Sequence, residues 1–261
     1  MILKLTAAQI ETFERDGVVE LGRVLSEEEV AEARGRFERV FAEYLGVPGK
    51  GLRNLYAASA SLEDQQKSEQ RHYQMFNIWQ HDEWYRALLY KEDLLDKVTS
   101  VIGPNVQLLH DQVFYKPAGD GAPSNWHQDN SYFNLAPPKV ASIWIALDDA
   151  DLENACLYFL PGSHHEMLPH RIFGKTYEGI ELTEVEVDES RLKPFPMPAG
   201  HALMHHCMTV HGAYANRSHR DRRSLGLHYM ATDVRNSAGE LLQDRERHPV
   251  LRLSAQAAGQ P

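Results

Sequence analysis

A histidine and an aspartate stand one residue apart in the segment Asn125–Asn130, which reads N-W-H-Q-D-N. On an extended strand, residues i and i+2 point to the same face, so His127 and Asp129 could contact one metal ion. His211 lies at the end of a later predicted strand and could supply a third ligand. Two histidines and one carboxylate form the facial triad of non-haem Fe(II) oxygenases, which leaves coordination positions open for reactants. The spacing therefore predicts a metal site.

A His-x-Asp pair is weak evidence by itself, because most such pairs are a surface histidine beside a solvated aspartate. His205 is a rival third ligand, since alternation places it on the same strand face as His211. We prefer His211 because it closes its strand at a glycine turn and because an arginine, Arg222, stands 11 residues further on. His164 and His165 follow a Pro-Gly-Ser turn and are interpreted as loop residues.

The run that begins at Arg222 predicts a strand with a polar inner face. Alternation puts Arg222, Ser224, Gly226 and His228 on one face of this strand. An arginine that faces into a barrel needs an anionic partner, because an unpaired buried charge is very costly. A dicarboxylic cosubstrate would supply that anion through a bidentate contact, and Ser224 could donate a further hydrogen bond.

The composition limits the class of protein. The chain has 261 residues and is 43% hydrophobic, which supports a large core. Its 27 Lys and Arg against 37 Asp and Glu leave a net charge of −10, so no nucleic-acid partner is expected. No apolar run reaches the roughly 20 residues of a membrane span. Cys156 and Cys207 form no metal-binding or redox pattern, so we expect a cytoplasmic protein without a membrane partner.

The N-terminal region has helical signals. Thr6 and Ser26 each stand three residues before Gln or Glu, the capping-box pattern of a helix start. A further helix is predicted from about Asp82 to Ile102, where Gly103 and Pro104 stop it. Gly46–Gln74 lacks a clear period, and we interpret it as a long loop or lid.

From Asn105 onward the hydrophobic period changes to two, which predicts antiparallel strands. The predicted strands are Val106–Lys116, Val140–Leu147, Ala155–Leu160, Ala202–Val210 and Arg222–Met230. No helices alternate with them, so a mainly β jelly roll or barrel with helices on one outer face is favoured over βαβ units. We predict a single domain over residues 1–261, with helical support and lid in 1–104, the jelly-roll core in 105–230 and a C-terminal tail in 231–261.

Four ordered blocks of sequence resemble the phytanoyl-CoA dioxygenase (PhyH) group of Fe(II)/2-oxoglutarate-dependent oxygenases. The blocks are W-H-Q-D-N at Trp126–Asn130, S-I-W-I-A-L-D-D-A at Ser142–Ala150, E-N-A-C-L-Y-F-L-P-G-S-H at Glu153–His164 and H-G-A-Y-A-N-R-S-H-R-D-R-R-S at His211–Ser224. The similarity spans about residues 112–229 and is looser in the helical N-terminus.

The resemblance implies a double-stranded β-helix, a jelly roll of the cupin type, with helices packed on one sheet. It implies that His127, Asp129 and His211 bind iron and that Arg222 binds the distal carboxylate of 2-oxoglutarate. The positions of two further residues, Gln112 and Trp144, line the cosubstrate pocket in the family.

One position departs from the family pattern. Many relatives have serine two residues after the distal histidine, where this chain has Ala213. The hydrogen bond that this serine makes to the cosubstrate is expected either to be missing or to come from Ser224 or Tyr115 instead. Asp129 keeps the triad carboxylate, which argues for hydroxylation rather than halogenation.

The predicted function is oxidative decarboxylation of 2-oxoglutarate by O2 to give succinate and CO2, coupled to hydroxylation or related C–H oxidation of a small organic molecule. The substrate itself and the oligomeric state are not encoded in any motif. The substrate-pocket candidates are Tyr132, Phe133, Phe76, Asn77 and His228. Two alternatives stay open: a zinc-dependent hydrolase or isomerase on the same barrel, because His2Asp with water also suits Zn2+, and a ligand-binding barrel without turnover.

Overall fold

Two antiparallel sheets and a layer of helices form the fold in a computed structural model that describes residues 4–47 and 50–258. The helices are α1 (Ala7–Asp16), α2 (Glu27–Tyr44), α3 (Leu62–Lys67), α4 (Glu83–Leu89), α5 (Glu92–Ile102), α6 (Asn130–Phe133) and α7 (Ala255–Ala258). Short 3-10 turns lie at Ile78–Gln80, Ser163–His165 and Glu189–Arg191. Within the described ranges, no helix has both the length and the apolar composition to cross a bilayer.

The strands divide between a large sheet, a small sheet and a separate hairpin. They are β1 (Val18–Arg23), β2 (Leu52–Asn54), β3 (Tyr73–Phe76), β4 (Val106–Lys116), β5 (Ser124–His127), β6 (Val140–Ala146), β7 (Leu157–Phe159), β8 (Arg171–Lys175), β9 (Glu181–Glu184), β10 (Lys193–Phe195), β11 (His201–His206), β12 (His211–Ala213), β13 (Arg222–Ala231) and β14 (Val250–Arg252). The large sheet has the order β1-β11-β6-β13-β4-β3-β2, with β14 also on β4, and the small sheet has the order β10-β7-β12-β5. Strands β8 and β9 pair only with each other.

The alternation predicted for β13 is confirmed and separates the two faces of the large sheet. Leu225, Leu227 and Tyr229 join the main hydrophobic core, where α5 contributes Leu94, Leu95 and Val98. The opposite face, with Arg222 and His228, is turned to the interior between the sheets. The helices therefore bury one face of the large sheet, which leaves the polar face free to build a site.

Both predicted capping boxes are present. The hydroxyl of Thr6 accepts from the backbone N–H of Gln9, and the hydroxyl of Ser26 accepts from that of Glu29. In each case the Gln or Glu side chain also accepts from the backbone N–H of the cap residue. Two otherwise unpaired donors are satisfied at each helix start, which explains why α1 and α2 begin where the sequence indicates.

The single helix predicted from Asp82 to Ile102 is wrong: the chain breaks into α4 and α5. Lys91 adopts an extended backbone, with φ −61° and ψ 114°. Its ammonium donates to the carbonyl of Val24 at 2.9 Å and to Glu29 at 2.6 Å. These tertiary contacts hold Lys91 outside the helix, and local periodicity carries no information about them.

The large sheet also recruits strands from both ends of the chain. β1, β2 and β3 come from the region predicted as mostly helical, and β14 comes from the predicted tail. Gly46–Gln74 likewise contains β2, α3 and the start of β3, apart from residues 48–49, which lie outside the described chain. Three- to six-residue strands at a sheet edge are too short to show a distinct period.

Asp82 provides a test of how the start of α4 is stabilised. Its carboxylate caps α4 by accepting from the backbone N–H groups of Trp84 and Tyr85 at 2.9 and 3.3 Å, and it accepts from Arg36 at 2.9 Å. We expect Asp82→Ala to lower the free energy of unfolding by about 1–3 kcal/mol in urea titrations, because the cap and the ion pair are both lost. Asp82→Asn keeps a capping oxygen and should lose less; equal losses would contradict the capping role.

Candidate active site

One strand ladder pairs the two histidines, and Asp129 follows just after it at the start of α6, with φ −51° and ψ −37°. The extended backbone expected across His127 and Asp129 is therefore wrong, although their side chains do meet. His127 is the last residue of β5 and His211 the first of β12, and the two are register partners. The Oδ1 atom of Asp129 lies 3.7 Å from the Nε2 atom of each histidine. Possible ligand atoms of the three residues all lie within 4.8 Å of one another. A single divalent ion fits this donor set.

Gly212 allows the close approach of these strands. A β-carbon at this position would lie 2.5 Å from the ring of Trp126 and 2.6 Å from the carbonyl oxygen of Ser124. Any larger residue would push β12 away from β5 and separate the two histidines. The glycine after His211 thus acts inside a strand ladder and not, as the sequence suggested, at a turn.

Backbone hydrogen bonds orient both imidazoles. Nδ1 of His127 lies 2.7 Å from the carbonyl oxygen of Asn125, and Nδ1 of His211 lies 3.0 Å from that of Thr209. A carbonyl can only accept, so each Nδ1 carries the proton and each Nε2 presents its lone pair. Both Nε2 atoms face Asp129, as metal ligation requires.

A chain of buried side chains holds the carboxylate of Asp129. The amide of Gln74 donates to Gln112 at 2.8 Å, and the amide of Gln112 lies 2.8 Å from Nε2 of His228. Nδ1 of His228 is 2.7 Å from the hydroxyl of Ser142, which donates to Oδ2 of Asp129 at 3.3 Å. Because the Gln112 amide donates, His228 must carry its proton on Nδ1 and pass the hydrogen-bond direction on to Ser142. The chain leaves Oδ1 free for an ion.

Burial sets the protonation states of the three candidate ligands. It lowers the pKa of His127 to about 4 and that of His211 to about 4, since desolvation disfavours imidazolium. Burial raises the pKa of Asp129 to about 6, against the opposing effect of His127. At neutral pH both histidines are neutral and the carboxylate is ionised, which is the state that binds a metal.

Arg222 is a buried cation without a carboxylate contact. It is 2% exposed, its Nη1 donates to the hydroxyl of Ser224 at 2.9 Å, and its Nε has no hydrogen-bond partner. The guanidinium lies 5.7 Å from the ring centre of Trp144. Burial lowers the pKa of Arg222 to about 10. The open donor and the uncompensated charge fit an anionic cosubstrate, as expected for the carboxylate of 2-oxoglutarate.

Ser224 is the one remaining candidate to replace the hydrogen bond that the family serine makes to the cosubstrate. Ala213 is packed in an apolar cluster, and Ser224 already contacts the guanidinium of Arg222. The expectation that Tyr115 contacts the cosubstrate is wrong. Its ring packs against Phe37 and Phe41 on the helix side of the sheet, and its hydroxyl donates to Asp221. Tyr115 and Gln112 have opposite parity along β4, so they point to opposite faces.

One cavity of about 390 Å3 is lined by the triad, by Arg222 and by most predicted pocket residues. The predicted residues in its wall are Gln112, Trp144, Tyr132, Phe133, Phe76 and His228. The prediction that Asn77 belongs to the substrate pocket is wrong, because it does not line this cavity. It adopts a left-handed backbone with φ 57°, which ends β3 and breaks the alternation after Phe76.

The rival histidine belongs to the same cavity but not to the metal cluster. His205 lines the wall, and its ring centre is 4.5 Å from that of His211. The predicted strand Ala202–Val210 ends at His206, and a turn carries the chain across to the small sheet before His211. His205 and His211 therefore come from different sheets, and the grouping of three possible ligands contains only His211. His164 and His165 lie in a 3-10 turn, as the turn signal indicated.

Sequence reasoning missed the far end of the cavity. The hairpin β8–β9 was not predicted, yet Phe173, Thr176 and Leu182 contribute to the wall. Arg53 and His72, within the predicted lid, also line it. Apolar and charged residues alternate over Ile180, Glu181 and Leu182, and Gly179 stands at the turn, which were available signals. The burial of Arg53 had no local signal, because it depends on the hairpin.

The phytanoyl-CoA dioxygenase (PhyH) family model matches residues 13–224, and the chain belongs to this family. Peroxisomal phytanoyl-CoA dioxygenase of Mus musculus is 26% identical over 240 residues, which cover 88% of this chain and 69% of that protein. A probable alpha-ketoglutarate-dependent hypophosphite dioxygenase of Stutzerimonas stutzeri is 29% identical over 153 residues, 57% of this chain and 53% of that protein.

A solved structure similar to this fold is the epimerase SnoN in complex with Fe3+, alpha ketoglutarate and nogalamycin RO. It superposes with a TM-score of 0.74 at 20% identity and covers 94% of this chain and 98% of that one. The predicted double-stranded β-helix is confirmed. The predicted family and the enzyme class, Fe(II)- and 2-oxoglutarate-dependent dioxygenases, are confirmed as well.

The pKa of Asp129 predicts how metal binding depends on pH. Below about pH 6 the carboxyl group is protonated, and the metal must displace that proton. We expect the affinity for Fe(II), measured by anaerobic calorimetry, to fall about tenfold per pH unit below pH 6 and to level off above it. His127 and His211 stay neutral down to about pH 4 and should not contribute. The exposed His165, as His165→Gln, is a control that should leave the profile unchanged; a profile without a step near pH 6 would contradict the assignment.

Proposed function

We propose that His127, Asp129 and His211 hold the Fe(II) of this dioxygenase, that Arg222 binds the distal carboxylate of 2-oxoglutarate, and that the enzyme oxidises a C–H bond of a small organic molecule. The observation that carries this proposal is the shared cavity. One wall contains a three-residue donor set and a buried guanidinium with an unpartnered nitrogen. Gln112 and Trp144 line the proposed cosubstrate pocket, and Ser224, which is not in the cavity wall, contributes by accepting a hydrogen bond from Arg222.

The bound metal, cosubstrate and O2 supply the oxidising chemistry, with succinate and CO2 as products. The protein orients the reactants and keeps water away. The hydrogen-bond chain through His228 and Ser142 keeps the Asp129 carboxylate aimed at the ion. The apolar part of the wall, such as Phe133 and Ile143, excludes water from the site and protects the reaction from unproductive turnover.

Arg222 also selects the cosubstrate. A buried arginine is stabilised by a carboxylate that replaces its lost hydration, and the planar guanidinium matches two carboxylate oxygens. The flanking ring of Trp144 and the hydroxyl of Ser224 restrict the guanidinium to one orientation. A monocarboxylate that chelates the metal would leave this charge uncompensated, so a dicarboxylate is favoured.

The zinc-hydrolase alternative lacks a use for Arg222, because activation of a metal-bound water requires no second anion-binding group. A binding barrel without turnover has no need of a complete donor set with oriented lone pairs. Production of succinate separates the oxygenase from both alternatives.

We further propose a small substrate, with Tyr132, Phe133, Phe76 and His228 among its contacts. The cavity of about 390 Å3 must also hold 2-oxoglutarate. The name of the mammalian relative gives phytanoyl-CoA as its substrate. The phosphates of the CoA moiety would require a basic cluster, which the cavity wall lacks in the described chain.

We propose that residues 1–261 act as one domain, since one core joins the N-terminal helices to the large sheet. Two buried free thiols support a cytoplasmic location.

Succinate formation from 2-oxoglutarate tests this proposal. Purified protein with Fe(II) and ascorbate under air should form succinate slowly even without a substrate. His127→Ala should abolish it, and Arg222→Gln should raise the 2-oxoglutarate concentration for half-maximal rate about 10- to 100-fold, the effect of losing a charge-assisted bidentate contact.

Arg220→Gln is the matched control, because Arg220 is an exposed arginine paired with Asp151 outside the cavity. It should behave like the unmodified protein. If no succinate forms and calorimetry detects no metal-dependent binding of 2-oxoglutarate, the proposal is wrong and the zinc or binding alternatives take its place.

A further inference from the structure

Arg53 is the charged group of the cavity wall that the proposed function leaves without a role. Asp129 and Arg222 are the other Asp and Arg side chains of the described wall, and they are assigned to iron and cosubstrate. Arg53 lies on β2, opposite Gln74 of β3 in the register. Gln74 itself begins the hydrogen-bond chain to Asp129. The guanidinium therefore lies at one end of the wall, with the metal ligands further along the same interior face.

Arg53 is almost fully buried but only partly satisfied. It is 6% exposed, and its Nε has no hydrogen-bond partner. Its guanidinium carbon lies 5.2 Å from the ring centre of Phe76. A buried arginine with an open donor is costly unless an anion reaches it. The packing against Phe76 holds the planar group in place and leaves that donor available.

The present partner of Arg53 is the carboxylate of Glu178, at the turn of the β8–β9 hairpin. The side chain of Glu178 is 37% exposed, so it reaches in from the solvent side to a residue that is buried. The hairpin makes no strand pair with either sheet. Such a partner can be exchanged for a ligand carboxylate, because the partly exposed Glu178 regains hydration when it leaves and the ligand keeps the buried guanidinium paired.

The β8–β9 hairpin and the segment around β2 and β3 also contribute apolar side chains to the cavity wall. Leu55, Phe76, Phe173, Ile180 and Leu182 line the wall of the same cavity. A ligand that fills this region would need an apolar body and one anionic group. The planar fork of a guanidinium fits a carboxylate with two parallel hydrogen bonds.

We propose that Arg53 recognises a carboxylate on the oxidised substrate, so that the substrate is a small carboxylic acid with an apolar body, and that Glu178 takes the place of that carboxylate until the substrate binds. The reaction at the iron rests on the proposed function, whereas the preference of the cavity for acids does not. Because Arg53 and the metal ligands share one wall, the acid would be anchored at the far end from the C–H bond that is oxidised.

Matched pairs of ligands test this assignment by anaerobic calorimetry on protein loaded with Fe(II). Saturating 2-oxoglutarate occupies Arg222, so the probe cannot bind there. The probes are octanoate with octanamide, 3-phenylpropanoate with 3-phenylpropanamide, and phenethyl phosphate. We expect at least one acid to bind about tenfold or more tightly than its amide. Arg53→Gln should remove this preference, and Arg53→Lys should keep part of it because the charge remains without the fork.

Two further variants make the result specific. Glu178→Gln should bind the acids about two- to fivefold more tightly, since the competing carboxylate is gone. Arg171→Gln is the matched control. It removes the ion pair of Arg171 with Glu184 in the same hairpin, and Arg171 does not line this cavity. It should keep the preference of the unmodified protein.

The outcomes separate this inference from the proposed function. If Fe(II) and 2-oxoglutarate bind but no acid binds better than its amide, or if Arg53→Gln retains the preference, Arg53 is not a substrate-recognition residue. If phenethyl phosphate binds more tightly than the carboxylates, the assignment to a carboxylic acid is wrong. Unchanged Fe(II) and 2-oxoglutarate affinities in Arg53→Gln would show that the variant is folded. If the unmodified protein binds neither Fe(II) nor 2-oxoglutarate, the proposed function is contradicted instead.

Discussion

The pairing of His211 with His127 across the ladder between β5 and β12 is the contact on which the site depends. It brings residues far apart in the chain to within ligand distance and fixes both imidazoles on the side of Asp129. The ladder needs Gly212, because a side chain there would collide with the neighbouring strand. The small sheet stays in place because its inner face packs against the large sheet through residues such as Phe159 and Trp144. The arrangement of the three candidate ligands is thus a consequence of sheet-on-sheet packing.

A second constraint is the burial of charge without internal compensation. Asp129 and Arg222 are both buried, and the protein stabilises each mainly through neutral hydrogen-bonding partners such as Ser142 and Ser224. Neutral partners orient a charged group but do not cancel its charge, so both groups gain when an ion of opposite sign binds. The interior is organised for ligands in this sense: the polar network positions the charges, and the bound metal and cosubstrate would balance them.

The two ends of the cavity are built differently. His127, His211, Arg222 and His228 lie on paired strands of the two central sheets, and Asp129 follows just after β5. The opposite end is formed by the β8–β9 hairpin and the segment around β2, at the edge of the large sheet. Core strands preserve a geometry that the shared reaction requires, while edge strands and hairpins tolerate changes of sequence. Substrate selection is therefore expected to reside at the Arg53 end, which differs in construction from the reactive end.

The sequence by itself determined the reactive end of this protein. The inward face of β13 and the capping boxes of α1 and α2 are local patterns, and local backbone geometry is enough to interpret them. The His-x-Asp pattern of His127 and Asp129 also indicated the metal site, although β5 ends at His127 and Asp129 has a helical backbone. Only the tertiary structure decided between His205 and His211, because a turn moves the chain from one sheet to the other between them. It also decided the break at Lys91 and the burial of Arg53 beside Glu178. Each of these depends on contacts between residues distant in sequence, whose energies do not appear in any local hydrophobic period.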